Sequence, residues 1–153
     1  MTNLTVIEPV DGNLFDKLKC QMANQFCDIS ISKATPGFDG DTDIAVLSPD
    51  CDSAMIYGSK LRCRTLLLPG GISARFADAE CVVTYGMGAK DTLTLSSIGK
   101  DSCVLSLQRE LVTALGDVLD RQELKIHRNG STDELLAFSG AMLLLGLPST
   151  DLS

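Results

Sequence analysis

The sequence of 153 residues contains no tryptophan, one histidine, His127, and no C-x-x-C pair among its six cysteines. Because structural zinc is held mainly by closely spaced cysteines and histidines, these absences exclude a recognisable metal site. Several cysteines lie in apolar runs such as "ECVVTYG", where a free thiol behaves as a small buried hydrophobe. We expect reduced core thiols, no metal and no cofactor, with Cys51 in the polar turn "SPDCDSA" the most exposed and reactive thiol.

Positive charge is also scarce, since 13 lysines and arginines stand against 20 acidic residues and give a formal net charge of −7. Nucleic-acid binding without sequence preference and adsorption to anionic membranes both need an excess of basic residues. No apolar run approaches the roughly 20 residues that cross a bilayer. The start, "MTNLTVIEPVDG", lacks the basic and apolar segments of a secretory signal. We therefore expect a cytoplasmic protein with neither nucleic acid nor membrane as a partner.

The residues that are present fit one α/β domain over residues 1–153, with 44% hydrophobic and 22% charged residues. Apolar strands and helical patterns alternate up to "CVVTYG", which is typical of a parallel sheet with helices packed on it. The predicted strands are Leu4–Val10, "CDISISK", Asp43–Leu47, "CRTLLL" and "CVVTYG". The predicted helices are "NLFDKLKCQMANQF", "SPDCDSAMIYGSKL" and about two turns in "ISARFA".

The pattern changes after Gly86, where "DTLTLSSI", "SCVLSLQREL" and "QELKIHR" alternate apolar and polar residues and predict antiparallel strands or hairpins. The last segment, "STDELLAFSGAMLLLGLP", predicts a helix with Ser131 and Glu134 as a capping box and Gly146 near its end. Its second half has almost no polar face, so we expect burial against the sheet or a partner. The sequence as a whole predicts a three-layer, Rossmann-like α/β fold.

Three loops that follow predicted strands contain residues suited to ligand binding. The candidate ligand-binding residues are Asp50, Asp52, Gly70, Gly71, Ser73, Gly86, Gly88 and Lys90. The Gly-Gly pair stands between a strand and a predicted helix, where backbone N–H groups can cradle an anion. It lacks the third glycine of the dinucleotide fingerprint and the lysine of a P-loop, so we prefer a plain turn to an anion site there.

The other two loops also have structural explanations. Gly86 and Gly88 leave room for a ligand and Lys90 could neutralise an anion, but a loop that needs positive φ has the same composition. Asp50 and Asp52 could accept hydrogen bonds from a ribose or hold a metal through water, and we prefer the alternative that they cap a helix.

The segments "CVVTYGMGAKDTLTLSSI" and "STDELLAFSGAMLLLGLPS" resemble parts of the central domain of Mur-type amide ligases. The first resembles a core strand that ends in an aromatic-Gly pair before an antiparallel portion, and the second resembles the closing helix. "DIAVLSPDCDS" is similar to the strand after which that family carries paired acidic residues close to the nucleotide. The resemblance covers the chain roughly from Asp43 to Pro148.

The resemblance implies a shared arrangement of sheet and helices without ligase activity. The family's ATP-binding glycine-rich loop, with its lysine and threonine, has no counterpart in this sequence, and Gly130 and Ser131 replace the His-Asn pair that opens the last helix. Asp50 and Asp52 are the positions to which the resemblance assigns a role.

Two functions are consistent with these observations. The preferred one is a non-catalytic module that binds a ligand or a protein partner, or forms a homo-oligomer that covers the apolar end Met142–Leu147. The alternative is an enzyme or sensor that binds a nucleotide, a phosphorylated metabolite or another small anionic ligand with the three loops. No catalytic residue is assigned, because no G-x-S-x-G elbow exists and His127, without an acidic neighbour in sequence, is expected at the surface.

Overall fold

The computed structural model of the chain describes residues 2–22, 28–56, 58–128 and 130–146. The described strands are β1 (Thr2–Ile7), β2 (Ile29–Ala34), β3 (Gly40–Leu47), β4 (Leu61–Pro69), β5 (Ala77–Tyr85), β6 (Leu93–Ile98), β7 (Ser102–Leu107), β8 (Leu111–Val112), β9 (Val118–Leu119) and β10 (Gln122–His127). The described helices are α1 (Leu14–Met22), α2 (Ser53–Ile56) and α3 (Thr132–Leu144), and a 3₁₀ turn spans Ala74–Phe76.

Eight of these strands form one sheet in the order β10-β7-β6-β5-β4-β3-β1-β2, while β8 and β9 pair separately. In sheet order, the five strands β2, β1, β3, β4 and β5 are parallel to their neighbours. β6 pairs with β5 in parallel through one residue pair. β7 lies between β6 and β10 and is antiparallel to both. The predicted class, a mostly parallel α/β sheet with antiparallel strands in the second half, is confirmed.

The carboxyl-terminal parts of β3 and β4 are buried on both faces because their apolar residues alternate between two clusters. Ile44 and Val46 of β3 pack in the cluster that also contains α1 and α3 residues. Ala45 and Leu47 pack in a second cluster on the other face, with Ile56 of α2 and residues of the connecting loops. A strand in this position must be apolar at successive residues, which explains the continuous run "DIAVL".

Helix α3 is the most buried helix described, with nine of its 13 residues buried. The hydroxyl of Ser131 accepts a hydrogen bond from the Glu134 N–H at 3.2 Å, as the predicted cap requires. A Cβ at Gly140 would lie 2.9 Å from methyl carbons of both Leu67 and Leu93, so this glycine lets the helix approach β4 and β6 closely. Of the apolar end Met142–Leu147, residues Met142–Leu145 are buried in the chain's own core and give no reason for a second copy to cover them, and Leu147 lies outside the described residues.

Three predictions of local structure need correction. The strand predicted over Leu4–Val10 ends at Ile7. The helix predicted in "SPDCDSAMIYGSKL" is the four-residue α2. The two helical turns predicted in "ISARFA" are one 3₁₀ turn, because Ala77 already pairs with Leu61 as the first residue of β5. None of the helices in the described ranges has the length and apolar character needed to cross a membrane.

Candidate functional site

A cavity of about 600 Å³ lies at the carboxyl ends of the central parallel strands. Its walls come from Pro49 after β3, Gly70 and Gly71 after β4, residues 86–91 after β5, and Asp133 in the first turn of α3. Parallel strands bring the loops after them to one edge of the sheet, which is the usual position of ligands in open α/β folds. The cavity is therefore a candidate functional site by position as well as by size.

Gly70 and Gly71 form a tight turn at the cavity wall. The Ile72 N–H donates to the Pro69 carbonyl at 3.1 Å, which makes the two glycines the central residues of a β-turn. The Gly70 N–H donates to the Tyr85 carbonyl at 3.0 Å and is already satisfied. Because a 3₁₀ turn of three residues follows in place of a helix, no helix that starts after these glycines adds the positive end of a dipole to them.

The space beside three of the glycines is filled by the carboxylate of Asp91. A Cβ at Gly70 would collide with this carboxylate, one at Gly86 would lie 2.7 Å from Oδ2, and one at Gly88 would lie 3.1 Å from Oδ2. The Gly88 N–H also donates to Oδ2 at 2.9 Å. The glycines of the two loops thus make room for an acidic side chain of the chain itself.

Asp91 is held at the base of the cavity by its neighbours. Its N–H donates to the Gly88 carbonyl at 3.2 Å, and its carbonyl accepts from the Gln108 side chain at 2.7 Å. The residue is 8% exposed and lines the cavity. Among the residues that the structure describes, Oδ2 receives one hydrogen-bond donor and Oδ1 receives none. The carboxylate therefore keeps free acceptor capacity at a buried position.

Tyr85 forms part of the wall and is 2% exposed. Its hydroxyl donates to the Leu47 carbonyl at 2.6 Å and so ties the end of β5 to the end of β3. Burial raises the pKa of this phenol, and the charges of Asp133 and Asp50 and the neighbouring Cys51 raise it further. The phenol stays protonated at neutral pH and acts as a fixed part of the wall.

Five of the candidate residues named from the sequence line this cavity. They are Gly70, Gly71, Gly86, Gly88 and Lys90. The other three, Asp50, Asp52 and Ser73, are not among its described lining residues.

The remaining three candidates bond to nearby backbone groups. The Asp52 carboxylate accepts from the Met55 N–H at 3.0 Å, and the Ser73 hydroxyl accepts from the Arg75 N–H at 3.4 Å. Asp50 stands in the turn after β3, where its N–H donates to the Ser48 hydroxyl at 3.1 Å. The Asp52 contact is the helix cap that the sequence predicts, whereas Asp50 caps no helix, because its carboxylate accepts from the Ser48 hydroxyl at 3.5 Å.

The prediction that Cys51 is the most exposed thiol is wrong. Cys51 is 4% exposed, because the turn after β3 folds inward and its thiol donates to the Ile7 carbonyl at 3.5 Å. Burial, with the nearby charges of Asp50 and Glu8, raises the pKa of this thiol to about 11. The exposed thiols in the described part of the chain are Cys20 and Cys81.

The described cysteines are all free, and no group of three or more metal-ligating side chains occurs within residues 2–22, 28–56, 58–128 and 130–146. His127 is exposed near the end of β10, as expected for a surface histidine.

Sequence reasoning missed Asp91 and Asp133, the two acidic residues of the cavity. Asp91 directly follows the loop "GMGAK", so its position near the glycines was visible, but its side-chain direction was not. Asp133 stands at the start of α3, where an acidic residue is usual for helix stability and gives no separate signal.

Comparison with known proteins adds no relative at this point: no family model matches the chain, and a search of curated proteins finds no match.

Proposed function

We propose that the chain is a non-catalytic binding module whose cavity takes a small ligand with a protonated amine or a similar cationic hydrogen-bond donor. The observation that carries the proposal is the carboxylate of Asp91, which is buried, opens into the cavity and has one hydrogen-bond donor among the described residues. The oxygen without a donor faces the open cavity, so a cationic donor there would bind it through a charge-assisted hydrogen bond.

The size and charge of the cavity support this class of ligand. A volume of about 600 Å³ lies in the range of small-molecule sites. Asp133 adds a second carboxylate to the wall, and Lys90 alone is basic among the described lining residues. The protein's formal net charge of −7 also favours the approach of a cation over that of an anion.

The alternative, an enzyme or sensor for a nucleotide or phosphorylated metabolite, has less support in this geometry. An anion cradle needs free backbone N–H groups. The N–H groups of Gly70, Gly86 and Gly88 already donate to Tyr85, Leu93 and Asp91. A phosphate near these glycines would also lie close to the Asp91 carboxylate, and the two negative charges would repel each other.

A binding role is preferred to catalysis because of the residue types in the wall. The described lining residues include no serine, cysteine or histidine, and the Tyr85 phenol is held protonated and bonded. Nucleophilic catalysis needs an activated nucleophile beside a base, and the described wall contains no such pair.

The test is a thermal-shift screen that sets amines against anions. Polyamines, amino sugars and amino-acid esters form one panel, and nucleotides and phosphosugars form the other. An amine at a hundred times its dissociation constant should stabilise the fold by about 2.7 kcal/mol. Asp91→Asn should remove this shift, because asparagine fills the same space and still accepts from Gly88 but lacks the charge.

A matched variant separates a site from general charge attraction. Asp120→Asn removes one negative charge from an exposed residue outside the cavity wall, so it should leave the amine shift intact. An amine shift that persists in Asp91→Asn, or a response to phosphosugars alone, would contradict the proposal.

A further inference from the structure

Strand β5 has an outer edge that is unpaired over most of its length. The strand spans nine residues, yet its pairing with β6 consists of the single pair Tyr85 and Leu93. On the other side, β5 pairs with β4 from Ala77 through to Tyr85. Within the described part of the chain, the edge formed by Ala77–Thr84 therefore has no strand beside it.

Three consecutive side chains of this edge, Glu80–Val82, are exposed although the strand lies in the middle of the sheet order. Val82 is 44% exposed, while the paired Leu66 on β4 is fully buried. Cys81 is exposed as well. An open edge with apolar side chains is a template for a further strand.

The two outermost strands of the sheet differ from β5 in how they are protected. β10 contains the exposed Lys125, and edge lysines are a usual means by which proteins prevent edge-to-edge pairing. On β2, Lys33 instead donates to the carbonyls of Val10 and Gly12 in the loop after β1. β5, with the sequence "ADAECVVTY", contains neither lysine nor proline. Its Asp78 is paired with Arg62 of the neighbouring strand at 3.6 Å.

We propose that a second copy of the chain adds its own β5 to this edge, antiparallel and related by a two-fold axis, with Cys81 opposite the partner's Cys81. In such a pair the two opposed residue numbers have a constant sum, so the register is fixed by the residue on the axis. Like charges directly opposite one another destabilise a strand pair.

Charge disfavours the neighbouring registers whose axis lies at Glu80 or Ala79. An axis at Glu80 would place Glu80 opposite the partner's Glu80. An axis at Ala79 would place Asp78 opposite the partner's Glu80. An axis at Cys81 places Glu80 opposite the partner's Val82 and Asp78 opposite the partner's Thr84. It also uses the whole segment from Asp78 to Thr84 and stops before Tyr85, which is engaged by β6.

The first test is the oligomeric state measured by sedimentation velocity over a hundredfold range of protein concentration. The wild type should pass from monomer to dimer, and Val82→Lys should remain a monomer because lysine protects an open edge. Val118→Lys is the matched control, since Val118 is 55% exposed on β9 and should leave the dimer unchanged. Circular dichroism should show the same fold for all three proteins.

The second test addresses the register through the thiol at its centre. Opposed Cα atoms in antiparallel strands lie about 4.5–5.5 Å apart, within the range that a disulfide spans. Diamide, which takes up two electrons and two protons as two thiols become a disulfide, should convert the dimer to a covalent one. Cys81→Ser should abolish this product, and Cys20→Ser should retain it.

A wild type that stays monomeric at the highest concentration, or a Val82→Lys variant that dimerises like the wild type, would overturn the proposal. A dimer that lacks the Cys81 cross-link would overturn the register. These outcomes are independent of the amine screen, because the β5 edge residues Ala77–Thr84 do not line the cavity.

Discussion

The parallel half of the sheet, β1 to β5, and the antiparallel half, β6, β7 and β10, are buried in different ways. In β4 the four residues Thr65–Leu68 are all buried, because clusters of side chains cover both faces. In β7 every second residue is buried, since one face packs against the core and the other is nearer to solvent. The change of sequence pattern after Gly86 corresponds to this change of environment.

The two halves meet at one residue pair, and both candidate surfaces lie at that junction. The cavity is built largely by the connection between β5 and β6, residues 86–91. The open edge of β5 exists because β6 pairs with Tyr85 and with no earlier residue of the strand. Binding features therefore belong to the junction of the two halves more than to either half.

The largest expected effect contrasts the two kinds of burial. Leu67→Ala should lower the free energy of unfolding by about 2–5 kcal/mol, because Leu67 is fully buried between the sheet and α3. Leu124→Ala, at a partly buried position on β10, should lower it by about 1 kcal/mol. Urea unfolding measures the free energy of unfolding of both variants. An equal decrease in the two would contradict the difference in burial between the parallel and antiparallel halves.

A smaller effect is expected at the junction itself. Gly70→Ala should lower the free energy of unfolding by about 1–3 kcal/mol, because the new Cβ would collide with the Asp91 carboxylate. Gly71→Ala should stay within about 0.5 kcal/mol of the wild type, since nothing lies within 4 Å of its Cβ position. The loss at Gly70 should shrink in an Asp91→Ala background, and a loss that is unchanged there would show that Asp91 does not occupy this space.

The smallest effect is expected from mild alkali and concerns the parallel half. Burial raises the pKa of the Cys51 and Cys63 thiols from 9.0 to about 11. Their contribution to stability is complete below pH 9.0 and is lost as the pH rises towards 11, because the unfolded chain ionises first. Near pH 9.0 the loss should be below about 1 kcal/mol.

Thiol reagents supply the matching measurement. Cys20 and Cys81 should react with a thiol reagent in the native protein, whereas Cys51 and Cys63 should react only on unfolding. Fast reaction of Cys51 at neutral pH would contradict its burial under the turn after β3.

Periodicity and capping residues were sufficient to predict the class of fold, most strands and helix α3. Features that depend on side chains from distant segments were not predictable in this way. The Glu8 carboxylate is fully buried and accepts the N–H groups of Leu14 and Phe15 at the start of α1, a contact that no local pattern announces.

The candidate site was predicted in position and missed in chemistry. The glycines after β4 and β5 were predicted to leave room for a ligand, but the group that lies beside Gly70, Gly86 and Gly88 is the carboxylate of Asp91, which local sequence does not orient. Cys51 was misjudged because polar neighbours in sequence do not show that its turn folds over Ile7. The resemblance to Mur-type amide ligases stays a prediction about the arrangement of sheet and helix.

The close approach at Gly140 has a mechanical consequence for the molecule. Helix α3 contacts β3, β4 and β5 on one side of the junction and β6 on the other. It therefore connects the parallel and antiparallel halves of the sheet, which are joined to each other by one backbone residue pair. Separating the two halves would first require breaking the contact of the helix with Leu67 and Leu93. The rigidity of the sheet at the junction of the two halves thus depends on Gly140, which has no side chain.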